Sequence, residues 1–134
     1  MKKLLAIAIL LAGLVSCSDD DNKEDINFDN LQKRWYYVSS IVGGRTTPYV
    51  GNETCGKDYL EFQAAGVLRF VDVYDCQADP RVTLGTYTTV DKNITTILNG
   101  VTMTYTVIKL NNKDMRIDAV ANGTKITYVY TTAP

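Results

Sequence analysis

The sequence predicts an all-β fold, an eight-stranded up-and-down antiparallel barrel that follows a signal peptide and a short tether. Three observations carry this expectation. From residue 33 onward the chain is a series of short alternating stretches rich in Val, Thr and Tyr, with nine tyrosines in all, the residue types that suit a pleated, half-buried surface. Turn signals separate these stretches, Asn99-Gly100 and Asn122-Gly123 being the strongest. The residues that these turns set opposite one another share a chemical face, as paired strands require. Eight hairpin-linked strands in a row leave two open edges, and closing the sheet into a barrel removes both.

The first segment is not part of that fold. Met1-Lys2-Lys3 is positively charged, and residues 4–15 are a purely apolar run of 12. A membrane-spanning helix needs roughly 20 such residues, so this is a processed signal peptide, residues 1–16, and not an anchor helix. It ends in Leu14-Val15-Ser16-Cys17, which resembles the bacterial lipobox. The resemblance implies cleavage before Cys17, a diacylglycerol on its sulfur and a fatty acyl chain such as palmitate on the new amine. It also implies an outer-membrane lipid anchor, with the domain at the cell surface or the periplasmic face. Each buried methylene of such chains contributes about 0.8 kcal/mol, and a single chain binds only marginally. Residues 17–27 follow as an acidic tether carrying Asp19, Asp20, Asp21, Glu24 and Asp25. The tract cannot pack and reads as a solvated spacer. It also resembles the surface-export signal of some Gram-negative lipoproteins.

The domain spans residues 28–134. Asn27 caps one short helical turn that puts Phe28 and Leu31 on one side. Strands are then expected at residues 33–42, 57–63, 67–75, 82–90, 94–98, 101–110, 114–120 and 124–131. The loop Ala64-Ala65-Gly66 pairs Phe62 with Leu68 and Leu60 with Phe70, with Gly66 left-handed. A two-residue loop at Lys92-Asn93 pairs Tyr87 with Leu98 and turns Tyr87 inward. Asn99-Gly100 pairs Leu98 with Val101, Thr96 with Met103 and Ile94 with Tyr105. Asn112-Lys113 pairs Leu110 with Met115 and Ile108 with Ile117. Asn122-Gly123 pairs Ala119 with Ile126, Ile117 with Tyr128 and Met115 with Tyr130. The apolar parity must switch between Val107 and Ile108, which predicts a bulge there.

Charge and composition narrow the function. Removing residues 1–16 takes away Lys2 and Lys3 and no acid, so 12 basic residues face 15 acidic ones, a net charge of −3. That balance argues against nucleic acid as a partner. The chain contains no histidine, which removes the commonest general base and metal ligand. Ser39-Ser40 has no base at a recognisable spacing, and Asp72, Asp75 and Asp79 lack the spacing and central glycine of a calcium loop. No catalytic residue, metal site or cofactor is expected. Of three cysteines, Cys17 is taken by lipid. Cys55 and Cys76 then pair as a disulfide across the open end of the first hairpin, in a compartment where disulfides persist.

Several motifs in order are similar to those of the lipocalin-like domains of Gram-negative lipoproteins. They are Leu31-Gln32-Lys33-Arg34-Trp35, Leu60-Glu61-Phe62 with Ala64-Ala65-Gly66 and Phe70, Gly85-Thr86-Tyr87, and Tyr128-Val129-Tyr130. Lys33 stands where that family has glycine, and Tyr87 where it has tryptophan. The resemblance implies the barrel and the binding of an apolar ligand. In the register above, Trp35, Tyr37, Phe62, Phe70, Tyr87, Tyr105 and Tyr128 face the interior and are the candidates to hold a small apolar or aromatic molecule. A second reading stays open. If side chains fill the barrel, it is an interaction or structural module whose loops, such as residues 42–57, bind a surface protein or glycan. An interior void separates the two.

Overall fold

A computed structural model describes residues 26–134; the signal peptide, Cys17 and most of the acidic tether lie outside the described residues. The described chain is a nine-stranded antiparallel sheet, β1 (Arg34–Val42), β2 (Arg45–Pro48), β3 (Tyr59–Gln63), β4 (Val67–Asp72), β5 (Arg81–Val90), β6 (Asn93–Leu98), β7 (Val101–Leu110), β8 (Asp114–Ala121) and β9 (Thr124–Thr131). Each of β3 to β9 pairs with its sequence neighbour, and β9 pairs back onto β1. Eight strands, β1 and β3 to β9, therefore close the up-and-down barrel that the turn pattern predicts. The ninth, β2, was not expected. Its partners are Ser39 to Val42 on the upper half of β1, on the side where β3 covers Arg34 to Tyr36 lower down. Gly43 and Gly44, both at positive φ, make the two-residue turn that returns the chain, and a Gly-Gly pair is itself a hairpin signal.

The hairpins at Ala64-Ala65-Gly66, Asn99-Gly100 and Asn122-Gly123 have the expected registers. Two others differ. The β5–β6 turn sits at Asp91-Lys92, so Tyr87 opposes Thr96 while Leu98 opposes Gly85. A slip of two residues preserves parity, and Tyr87 still points inward. In β7 the bulge falls where the parity switch required it. The extra residue is Ile108 itself, so Val107 and not Ile108 opposes Ile117. A further bulge in β1 lies between Tyr37 and Ser39 against β9, leaving Val38 unpaired on that edge. It moves the inward positions from Trp35 and Tyr37 to Ser40 and Val42, which oppose Tyr128 and Ile126. Strand β4 stops at Asp72, short of the expected residue 75, because Asp75 and Cys76 take positive φ and turn the chain away.

One end of the barrel is closed. Asn27 accepts the Asp29 amide at 2.9 Å and caps a 3-10 turn, Phe28–Asn30. Ile26 bridges to Leu110 and the Asn27 amide donates to the Leu110 carbonyl, so packing onto the barrel begins two residues before Phe28. Leu31, Trp35, Val107, Leu110 and Met115 are buried here. The Trp35 indole N–H donates to the Leu31 carbonyl at 2.9 Å, which satisfies the one polar atom of the largest core side chain. Tyr87 stands beside this floor, edge-on to Phe62 with centroids 5.0 Å apart, and its hydroxyl donates to the Gln63 carbonyl at 2.9 Å. Two residues before it, Gly85 opposes Leu98. A Cβ there would strike the Ile97 carbonyl oxygen, so only glycine permits this close approach of β5 and β6.

Candidate functional site: a tyrosine-lined cavity

Above the floor the barrel is not filled. A cavity of about 160 Å³ lies between β1, β3, β4, β6, β7, β8 and β9. Its base is Phe62, Leu68, Ile94 and Ile117, and its upper wall carries Phe70 and Leu98. Alternation explains the set, because Leu60 and Phe62 on β3 oppose Phe70 and Leu68 on β4, all on the inner face. The remaining wall is tyrosine. Tyr37 lies 4.5 Å from Tyr49 and 5.3 Å from Tyr130, centroid to centroid. Tyr105 and the buried Thr96 complete the ring.

Of the seven aromatics expected inside, the structure brings Tyr37, Phe62, Phe70 and Tyr105 to the cavity wall. Trp35 and Tyr87 belong to the packed floor, where both are buried in the core cluster. Tyr128 meets Tyr37 in a tilted contact at 5.9 Å and Tyr105 edge-on at 6.3 Å, centroid to centroid, supporting the wall from one inward position above Tyr130. Three residues that the sequence did not single out matter more. Tyr130 lies deep in the barrel, and its accessible surface faces the cavity. Burial, then the neighbouring phenols, push its hydroxyl well above the usual tyrosine range. Its place was legible in the pairing with Met115 and in the Tyr-x-Tyr motif.

The other two are Tyr49, from the stretch expected to be loop, and Asp58, from the start of the strand expected at residues 57–63, which begins at Tyr59. After Pro48 ends β2, the Tyr49 amide donates to the Val38 carbonyl at 2.9 Å, using the carbonyl of the bulged residue. That contact swings the Tyr49 ring over the mouth. A Cβ on Gly51 would collide with the same phenol, so glycine there keeps the position open. Asp58 precedes β3 and continues its inward alternation one step above Leu60. It is 4 % exposed. Its carboxylate accepts the Tyr49 hydroxyl and, at 2.8 Å, the Val73 amide, while its own amide donates to the Asn52 side chain at 3.1 Å. Burial first, and then the Asp58 hydrogen bond and charge, push the Tyr49 phenol up to about 12. The Cys55–Cys76 disulfide, with Cα atoms 5.7 Å apart, joins the same two loops beyond Asp58, as the cysteine count predicted. The mouth is thus held by one covalent and four hydrogen-bonded ties.

Among the described residues no three Cys, Asp or Glu side chains gather where they could hold a metal ion. On the outer wall Glu61 is bridged by Arg34 at 3.0 Å and Arg69 at 2.6 Å. Burial raises the Glu61 carboxyl, but the hydrogen bonds from the two guanidinium groups outweigh it and hold it below the usual carboxylate range.

No protein-family model and no curated protein matches the chain. Solved structures do match. A lipocalin-like protein from Bacteroides uniformis superposes with a TM-score of 0.56 at 16 % identity, over 74 % of this chain and 96 % of that one. An uncharacterised protein from Bacteroides eggerthii gives 0.58 at 15 % identity, over 75 % and 98 %. At such identities the likeness is one of fold, and the fold is a lipocalin-like barrel.

Proposed function

We propose that this protein is a lipid-anchored binding protein, not an enzyme, whose barrel holds a small apolar or aromatic molecule. The observation that carries the reading is the cavity of about 160 Å³ walled by aromatic and aliphatic side chains above a packed floor. Its size is close to that of an engineered cavity of roughly 150 Å³ that stays dry and takes benzene. It falls below the roughly 300–1,000 Å³ of sites for drug-sized ligands. A single ring or a short chain fits; a long acyl chain does not. The alternative of a filled barrel describes the lower half of the molecule only.

The anchor in this reading is Cys17, with the outer membrane as the address and the domain on its surface or periplasmic face. Its support is the lipobox-like Leu14-Val15-Ser16-Cys17 after an apolar run too short to span a bilayer. Native mass spectrometry of the extracted protein tests the binding function, with a bound small molecule as the expected result. Its absence across several growth conditions would count against the reading. Labelling with a fatty-acid analogue tests the anchor: the wild type takes the label, and Cys17→Ser does not and leaves the membrane fraction.

A further inference from the structure

The chemistry of the cavity wall says more than its size. We infer that the ligand carries a positively charged nitrogen on its apolar or aromatic body, with Asp58 as the counter-charge. The inference rests on the reading of the barrel as a binding site and names the ligand class.

Asp58 is the one carboxylate among the residues that line the cavity, and no lysine or arginine lines it. Among the described residues no lysine or arginine forms an ion pair with Asp58. A carboxylate removed from water without a cation is costly and needs compensation. Two hydrogen bonds, from the Tyr49 hydroxyl and the Val73 amide, supply part of it. A carboxylate offers about four acceptor positions, so capacity remains. Next to it, by continuation of the β3–β4 register, stands Asp72 at the rim; Arg81 lies 4.0 Å from that carboxylate and offsets its charge. Asp58 has no such partner.

The rest of the wall suits the same ligand. Tyr37, Tyr49, Tyr105 and Tyr130 surround the space below Asp58. Aromatic faces carry negative charge and attract ammonium groups. Among the described residues the Tyr130 hydroxyl meets no hydrogen-bond partner, leaving a polar contact for the ligand at the deep end. A carboxylate or phosphate ligand would instead place a second negative charge beside Asp58 with no cation to offset it.

Three probes of similar size and different charge test this: 2-phenylethylammonium, 2-phenylethanol and phenylacetate, titrated calorimetrically into the intact protein. The ammonium is expected to bind tighter than the alcohol by about tenfold or more, what a charge-assisted hydrogen bond contributes, and the carboxylate weakest. Asp58→Asn keeps an acceptor for Val73 and removes the charge. It is expected to abolish the preference for the ammonium over the alcohol. Equal binding of ammonium and alcohol to the wild type would overturn the charge assignment and leave the apolar pocket standing, as would tightest binding of the carboxylate. A preference that survives in Asp58→Asn would remove Asp58 from the role. Binding of none of the three would overturn both this inference and the reading beneath it. If Asp58→Asn does not fold, the wild-type series still decides, because the charge is varied in the ligand.

Discussion

The two ends of this barrel are built from the same alternation and have opposite interiors. At the closed end the inward positions hold Trp35, Leu110 and Met115, each with no exposed surface, sealed by the 3-10 turn at Phe28–Asn30. Toward the open end the inward positions hold Tyr37, Phe70 and Tyr105, half-buried around a void that Tyr130 lines from deeper in the barrel. The floor gives stability, because every methylene there is in contact. The mouth forgoes part of that stabilisation, since side chains that line a void lack partners on one face. It is held instead by β2, the Cys55–Cys76 disulfide and the bonds to Asp58.

That contrast can be broken most sharply at the floor. Trp35→Ala removes the largest core side chain and its bond to Leu31, and is expected to cost about 3–5 kcal/mol, read by urea unfolding. Replacing Cys55 and Cys76 together by Ser releases the mouth. With 21 residues of separation, the loss is expected near 3 kcal/mol on the chain-entropy account, seen as a lower denaturation midpoint. Phe70→Ala lies on the cavity wall, where the side chain is only partly buried. It should cost about 1–2 kcal/mol, below the range for a fully buried phenylalanine, while enlarging the cavity enough to weaken single-ring probes. A Phe70→Ala cost equal to that of Trp35→Ala would mean that the two ends are packed alike.

The inward face common to both ends was already legible in the chain. The turns at Asn99-Gly100 and Asn122-Gly123 fix which residues face inward, and the structure follows them pair by pair. Which of the inward side chains form the floor was not legible, since alternation sets Trp35 and Tyr87 inside together with Tyr37 and Phe70. The mouth was not legible, because Tyr49 sits in a segment with no alternation long enough to read, and the alternation of β3, which puts Asp58 inward, does not say what meets it there. Only the return of the chain at Gly43-Gly44 and the bulge at Val38 bring Tyr49 over the barrel.

Two milder tests sharpen the comparison. Glu61, on the outer wall, is bound by Arg34 and Arg69 and its carboxyl is held below its ordinary value of 4.5. Its contribution is therefore present above that pH and lost as pH falls through the lowered value. Because Arg34 is about half-exposed, Glu61→Gln should cost only ~0.5–1 kcal/mol at neutral pH, and the gap in thermal midpoint to wild type should close in acid. At the mouth, phenolate absorbance during alkaline titration should lag for Tyr49, raised to about 12, and for Tyr105 and Tyr130, both raised by burial. A phenol protonated longer in the folded than in the unfolded state adds stability that is whole below pH 10. That stability is lost as pH climbs toward 12. Simultaneous ionisation of all tyrosines near 10 would show that the mouth is solvent-filled.

The sequence by itself determined eight of the nine strands, most of their registers and the inward face, because a two-residue period and a two-residue turn are local facts. It also determined the disulfide, once Cys17 is assigned elsewhere. Only the tertiary structure decided how deep along the axis each inward side chain sits, and therefore that Trp35 and Tyr87 pack while Tyr37 and Tyr130 line a void. Alternation tells a residue which side of the sheet it occupies. Depth comes from closure of β9 onto β1, from slips and bulges that leave the local pattern nearly unchanged, and from a loop that brings Tyr49 onto the buried Asp58 carboxylate at the mouth.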